Sequence, residues 1–174
     1  MIFGLLYSQM EFRIKNRHRL KNKDIKNFEK QLNNNYSNII FPNKAVVEIG
    51  DLNVTKIILV DNEICFFYYK DRLVFTLRGI AKFNPKEKYV IVDMGAVKFV
   101  TNGADVMSPG IVDVDENIEK EDIVWVCDQR NRKAIAVGIA FLSGKEMILK
   151  NKGKAIKIVH YVGDELWNFV AKSL

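Results

Sequence analysis

The chain has 174 residues, 48% of them hydrophobic and 28% charged, which excludes a globally disordered protein. No apolar run approaches the roughly 20 residues that a membrane span needs, and residues 1–6 are too few for a signal-peptide core, so we expect a cytoplasmic protein without a membrane partner. The two cysteines, Cys65 and Cys127, lie in apolar runs and are expected to be buried small hydrophobes rather than a disulfide or a metal pair.

The net charge of +6 is distributed unevenly along the chain. Residues 11–30 carry eight basic and three acidic side chains, and residues 129–157 carry eight basic side chains and one acidic side chain. Residues 113–122, between these segments, carry six acids and one lysine. Two basic segments and one acidic loop favour a surface that faces a polyanion, and an ordinary lysine-rich solvated surface is the alternative.

The first half of the chain is predicted to contain one helix among short strands. Residues 10–20 alternate in polarity, which predicts a strand with Phe12 and Ile14 on one face. The other face of that strand would form a candidate basic surface of four side chains: Arg13, Lys15, Arg17 and Arg19. Asn22 is the expected N-cap of a helix over 23–33. Further strands are expected at 39–41, 45–49, 54–60, 64–69 and 73–77.

Residues 78–88 contain Pro85 and three lysines, which is typical of a connection between domains. The second half is predicted to be a barrel-like β module with two small helices. The first helix lies between Gly95 and Gly103 with Asp93 as its cap, and the second follows Ser143 over residues 144–151. Strands are expected at 89–92, 106–107, 111–112, 123–127, 134–142, 155–162 and 166–170.

The residue pattern favours a binding protein over an enzyme. The chain carries no phosphate-loop motif, no dinucleotide fingerprint and no nucleophile elbow. The two histidines, His18 and His160, lie far apart in sequence, and neither has an obvious acid–base partner nearby. The acids of residues 113–122 lack the glycine and the regular spacing of a calcium loop. We therefore expect no catalytic residues, no metal site and no cofactor.

Residues 95–110 hold two Gly-Ala pairs eight residues apart, followed by Pro109-Gly110. Glycine permits a positive φ and a close approach of another backbone. A loop with few side chains also exposes backbone N–H groups, which suits an anionic or nucleic-acid partner. From spacing alone, both a packing turn and a binding loop remain open for this segment.

The same segment carries a family resemblance. Residues 93–100 (DMGAVKFV) and 103–110 (GADVMSPG), with the ending His160-Tyr161 and Asp164-Glu165-Leu166-Trp167, resemble a PUA domain, a small RNA-binding module. The ending is similar in particular to the multiple-copies-in-T-cell-malignancy family and its archaeal members. The resemblance implies an α+β fold class, with an N-terminal α+β pre-PUA domain over residues 1–85 and a C-terminal PUA β pseudo-barrel, the RNA-binding domain, over residues 86–174.

The resemblance also implies a function and partners. Members of this family are non-enzymatic and act on tRNA or the small ribosomal subunit in initiation, reinitiation or recycling, so RNA and the small subunit are the expected partners. Because the chain ends at Leu174, without an initiation-factor-like domain, we expect tRNA handling to need a separate protein that resembles the density-regulated protein. Two rivals remain open: an accessory RNA-binding subunit that guides a tRNA or rRNA modification enzyme, and a protein–protein adaptor that docks through an edge at residues 66–69.

By resemblance to RNA-bound PUA domains, the loop after the first helix and the final strands form the contact surface. The implied RNA-binding residues are Lys98, Gly103, Ala104, Asp105, Val106 and Met107, with His160 and Tyr161 as additional candidates. Lys152 and Lys154 would add affinity that does not depend on sequence. Met107 would offer an apolar surface to an unstacked base.

Overall fold

The computed structural model describes residues 13–172, and every structural statement below refers to that part of the chain. Phe12, predicted to share a strand face with Ile14, lies outside it. Within it the chain forms two β-sheets and five α-helices, which confirms the α+β fold class.

The first sheet is an antiparallel meander in which each strand pairs with the next in sequence. Its strands are β1 (Ile14–Arg19), β2 (Val47–Leu52), β3 (Thr55–Val60), β4 (Glu63–Tyr69) and β5 (Arg72–Phe75). Helix α1 (Asn22–Asn33) lies between β1 and β2, and helix α2 (Leu77–Phe83) follows β5. Asn22 is the first residue of α1 rather than its cap, because Lys21 occupies that position and makes no side-chain cap.

The predicted strand at 39–41 is wrong. Side chains of α1 take the backbone donors of this segment: Asn33 Oδ1 accepts from Ile39 N–H at 2.7 Å, and Glu29 Oε1 accepts from Phe41 N–H at 2.8 Å. With those donors used, the segment runs along the helix and buries Ile39 and Phe41 without joining a sheet.

The predicted single basic face of β1 is also wrong. Asn16 adopts a φ of +51°, and the register with β2 shifts between Lys15 and His18, which is a β-bulge. Lys15 pairs with Asp51, and Arg19 pairs with Glu48. Asp51 and Glu48 are three residues apart on β2 and so lie on opposite faces of the sheet, which places Lys15 and Arg19 on opposite faces as well.

The second sheet has the strand order β7-β11-β10-β9-β6-β8, and its neighbours are antiparallel except for the parallel pair β6–β9. Its strands are β6 (Tyr89–Val92), β7 (Val106–Met107), β8 (Ile111–Val114), β9 (Ile123–Asp128), β10 (Ala134–Ala140) and β11 (Lys154–Tyr161). The helices of this half are α3 (Met94–Val100), α4 (Gly144–Leu149) and α5 (Glu165–Lys172). The predicted strand at 166–170 is therefore wrong, since these residues belong to α5.

Part of the predicted connection at 78–88 is helical. Thr76 caps α2 by accepting from Gly79 N–H at 2.9 Å, and its own hydroxyl donates to the Ile64 carbonyl at 2.7 Å. Gly79 faces the Cys65 carbonyl so closely that an added Cβ would collide with it. The chain passes from one sheet to the other between Phe83 and Tyr89, and the division at 85/86 within that segment remains a proposal.

The two sheets share one buried cluster. Ile123 and Val137 of the second sheet belong to the same buried cluster as Phe66 and Phe67 of the first. Polar contacts join them as well: Asn35 Nδ2 donates to the Ile123 carbonyl at 2.9 Å. Strand β4 lies inside its sheet, and Phe66 and Phe67 are buried, so residues 66–69 do not form the docking edge expected for an adaptor.

The cysteines are buried, as predicted. Burial raises the pKa of the Cys65 thiol to about 12 and that of Cys127 to about 11, so both stay protonated near neutral pH. Across residues 13–172, no helix combines the length and the apolar character needed to cross a membrane, and no three His, Cys, Asp or Glu side chains gather as metal ligands.

Candidate nucleic-acid interface

Helix α3 forms one wall of the candidate site. Asp93 begins it, because its Oδ1 accepts from Ala96 N–H at 2.8 Å, which confirms the predicted cap. Val100 faces the core and is 1% exposed, whereas Phe99 is 58% exposed. Gly110 allows the helix to sit close, since an added Cβ there would lie 2.9 Å from the Ala96 Cβ.

We expect Asp93→Ala to lower the free energy of unfolding by about 1 kcal/mol, because an N-cap carboxylate would be replaced by a group that cannot accept a hydrogen bond. Asp93→Asn should recover most of that loss, since an amide oxygen also caps. Denaturant unfolding of the three proteins measures both changes, and equal stability of the alanine and asparagine variants would contradict the capping role.

The loop after α3 turns through Gly103, which has a φ of +85°. The positive φ favours glycine here, and an added Cβ would lie 2.8 Å from the Tyr161 ring, so a side chain would have to displace that ring. Ala104 follows and is exposed. Tyr161 therefore borders the candidate site as the residue that holds this loop in place.

Helix α3 and strand β7 enclose an open, mainly apolar groove of about 650 Å³. Phe99, Ala104 and Met107 line it, and Met107 is 48% exposed. Lys98 stands at its rim with Nζ 5.3 Å from the centre of the Phe99 ring. The groove thus offers apolar faces next to a cation, which suits a base and its phosphate.

Asp105 fastens β7 to β11. Its Oδ1 accepts from Ile158 N–H at 2.9 Å, and its Oδ2 pairs with Lys154 Nζ at 2.6 Å. Burial opposes ionisation of Asp105, but Lys154 and the Ile158 N–H outweigh it and lower the pKa of the carboxyl group. Both oxygens have protein partners, so Asp105 positions the groove, and Lys154 carries a charge that is partly compensated.

Known proteins similar to this chain identify its family. The PUA domain family matches residues 88–162, and a domain of unknown function, DUF1947, matches residues 16–83. An uncharacterized protein of Methanocaldococcus jannaschii is 49% identical over 90% of this chain and 98% of its own length. Malignant T-cell-amplified sequence 2 of Homo sapiens is 32% identical over 86% of this chain and 88% of its own length. The chain belongs to this family of PUA-domain proteins.

Other relatives support the assignment. Translation machinery-associated protein 20 of Saccharomyces cerevisiae is 33% identical over 75% of this chain and 76% of its own length. A hypothetical protein of Pyrococcus horikoshii superposes with a TM-score of 0.79 at 36% identity, over 88% of this chain and 99% of the other. A PUA-domain protein of Aeropyrum pernix superposes with a TM-score of 0.82 at 28% identity, over 91% and 92%. The resemblance to the multiple-copies-in-T-cell-malignancy family is confirmed.

Two residues implied as RNA contacts are buried in the PUA domain. Val106 and His160 are each 1% exposed, so neither side chain is available to RNA. His160 Nδ1 shares a hydrogen bond with Asp164 Oδ2 at 2.7 Å, and its ring lies edge-on to Phe67 of the first sheet at 5.7 Å. The motif makes His160 only an additional candidate for RNA contact. The structure places it instead at an interface between the two halves of the protein, with Asp164 as a partner that is not predicted from the sequence.

The remaining predicted residues divide between two surfaces. The groove brings together Lys98, Ala104, Asp105 and Met107, and Gly103 lies next to Ala104 against the Tyr161 ring. Lys152 and Lys154 are exposed beside it, around Gly153 and the start of β11. The predicted basic residues Arg13, Lys15, Arg17 and Arg19 lie at or just before β1 of the first sheet instead, where they do not share one face, and Arg17 is paired with Glu48.

Phe99 is absent from the predicted contact set, although it follows Lys98 directly. An aromatic residue in a helix is usually read as core, and its exposure depends on how α3 is rotated against the sheet. The sequence does carry a signal for its exposure. Phe99 lies between Lys98 and Val100, so a helix that buries Val100 turns Phe99 toward the side of Lys98 and solvent.

Proposed function

We propose that this chain is a non-enzymatic RNA-binding protein that works with the translation machinery, in the cytoplasm, and that the groove between α3 and β7 receives RNA. The observation that carries the proposal is an exposed aromatic ring, Phe99, and an exposed thioether, Met107, on a groove rimmed by Lys98. An unpaired base gains stacking and apolar contact there, while a lysine ammonium meets a phosphate.

The expected ligands are tRNA and the small ribosomal subunit, in initiation, reinitiation or recycling. The family assignment supports a role in translation, because a relative bears the name translation machinery-associated protein 20. A separate protein resembling the density-regulated protein is the expected partner for tRNA handling. Co-purification with a modification enzyme rather than with ribosomes would favour the accessory-subunit alternative.

Binding to labelled tRNA and to purified small subunits across a salt series tests the proposal. We expect binding at low salt that weakens as salt rises, with a slope of about −0.7 in log affinity against log salt for each phosphate contacted in a single strand. Lys98→Gln should make the total salt slope less negative by about 0.7, because it removes one cation, and so one phosphate contact, at the rim of the groove. An absence of binding above background at low salt would refute the proposed function.

A further inference from the structure

A second exposed aromatic ring lies beyond the groove. Phe141 follows β10 directly and is 38% exposed. Its N–H donates to the Ala155 carbonyl at 2.8 Å, which fixes its backbone against β11. The position of the ring at the surface is therefore set by a regular strand contact rather than by a free loop.

Lys154 connects this ring to the groove. Its Nζ lies 5.8 Å from the centre of the Phe141 ring and 2.6 Å from Asp105 Oδ2. Lys154 is also the cross-strand partner of Met107 in the pairing of β11 with β7. Phe141, Lys154 and Met107 thus come from three neighbouring strand positions, β10, β11 and β7, with the lysine in the middle.

The arrangement repeats the chemistry of the groove. Lys98 lies against the Phe99 ring and Lys154 lies against the Phe141 ring, so each exposed phenylalanine has an ammonium group beside it. Proteins that bind single-stranded nucleic acid combine these two elements, with bases stacked on aromatic faces and cations along the backbone. Phe99 lies on α3 and Phe141 follows β10, so the two rings belong to different elements and present separate surfaces to RNA.

We propose that Phe141 and Lys154 form a second nucleotide-binding site, which takes an unpaired base and its phosphate next to the groove. The inference rests on the proposed function, because the second site adds to RNA binding at the groove. It implies that the bound RNA is single-stranded, with at least two bases unstacked. A duplex cannot use the site, since base pairing and stacking keep its base faces covered.

The test measures affinity by fluorescence anisotropy for one labelled 12-nucleotide single-stranded RNA and for the same RNA annealed to its complement. We expect Phe141→Ala to weaken single-strand binding by about 5- to 150-fold, the range of one lost base–aromatic stack. Phe141→Tyr, which keeps the ring, should bind within about twofold of the wild type. Duplex binding should be the same for the wild type and Phe141→Ala.

Two controls separate stacking from other causes. Leu149→Ala removes a more exposed apolar side chain, 81% exposed on α4, and should leave both affinities unchanged. Phe141→Leu keeps apolar bulk against Lys154, so it should stay folded yet bind the single strand more weakly than Phe141→Tyr. The salt slope should be the same for Phe141→Leu and Phe141→Tyr, because Lys154 remains in place in both.

The outcomes distinguish this inference from the proposed function. If the wild type binds the single strand and Phe141→Ala binds it equally well, the second site is refuted while the groove proposal survives. Equal weakening of single-strand and duplex binding by Phe141→Ala would also refute it, since a base-stacking surface acts only on unpaired bases. If the wild type binds no RNA at low salt, the proposed function fails, and this inference fails with it.

Discussion

A Phe99→Ala/Met107→Ala double variant is expected to bind single-stranded RNA at least about fivefold more weakly than the wild type, from the loss of the one aromatic ring alone. Both side chains are exposed in the groove, at 58% and 48%, so both are available to unstacked bases. Each base–aromatic contact contributes about 1–3 kcal/mol by alanine substitution, and each 1.4 kcal/mol is a tenfold change in affinity. Anisotropy titration of a labelled single strand measures the loss.

The matched control is Val112→Ala/Ile148→Ala, which removes two side chains that are each 50% exposed outside the groove. Because all four positions are exposed, both double variants should keep nearly the wild-type thermal stability. Equal RNA affinities of the site variant and the control variant would contradict the placement of RNA in the groove.

An Asp164→Ala variant is expected to lose about 3 kcal/mol of stability, the largest effect we predict for a single polar side chain. Asp164 Oδ1 accepts from Trp167 N–H at 2.7 Å at the start of α5, and Oδ2 accepts from Tyr161 N–H at 3.0 Å. Oδ2 also holds buried His160 at 2.7 Å. The substitution removes a helix cap and leaves a buried imidazole without that partner, and each loss costs about 1–2 kcal/mol. Denaturant unfolding measures it.

The contribution of Asp164 depends on pH. Burial opposes ionisation, but the hydrogen bonds from His160, Trp167 and Tyr161 outweigh it and lower the pKa of the carboxyl group in the folded protein. The pKa of this group is about 3.9 in the unfolded protein and lower in the folded protein. Ionised Asp164 therefore stabilises the folded protein at pH values above about 3.9, and this stabilisation is lost as the pH falls through the folded-state pKa. The difference in stability between the wild type and Asp164→Asn should therefore narrow on acidification below about pH 4. A difference that stays constant from neutral to strongly acidic pH would contradict this assignment.

The elements predicted correctly are those whose determinants are local. Asp93 lies three residues before the N–H group that it caps, and the apolar run of β6 stands next to it, so the start of α3 can be predicted from a few neighbouring residues. Residues 166–170 are also mainly apolar, but periodicity does not separate a short buried strand from a helix. Asp164 favours the helix, because its carboxylate caps the start of α5 by accepting a hydrogen bond from Trp167 N–H.

The site was predictable in outline and not in detail, because exposure depends on contacts between distant segments. His160 is buried by Phe67, which belongs to the other sheet, and no local pattern around His160 signals this. Phe141 reads as the end of an apolar strand, yet its ring lies at the surface beside Lys154. Lys15 and Arg19 are an even number of residues apart, which predicts one face of a regular strand, but a single β-bulge places them on opposite faces.

Methionine methyl NMR tests the claim that RNA enters the groove between α3 and β7. The chain has five methionines, among them Met107 in the groove and Met147, which is 1% exposed in α4. On titration with a single-stranded RNA, the Met107 methyl signal should shift in proportion to the bound fraction, while the Met147 signal stays in place. An unmoved Met107 signal in a sample that anisotropy shows to be saturated with RNA would contradict the claim.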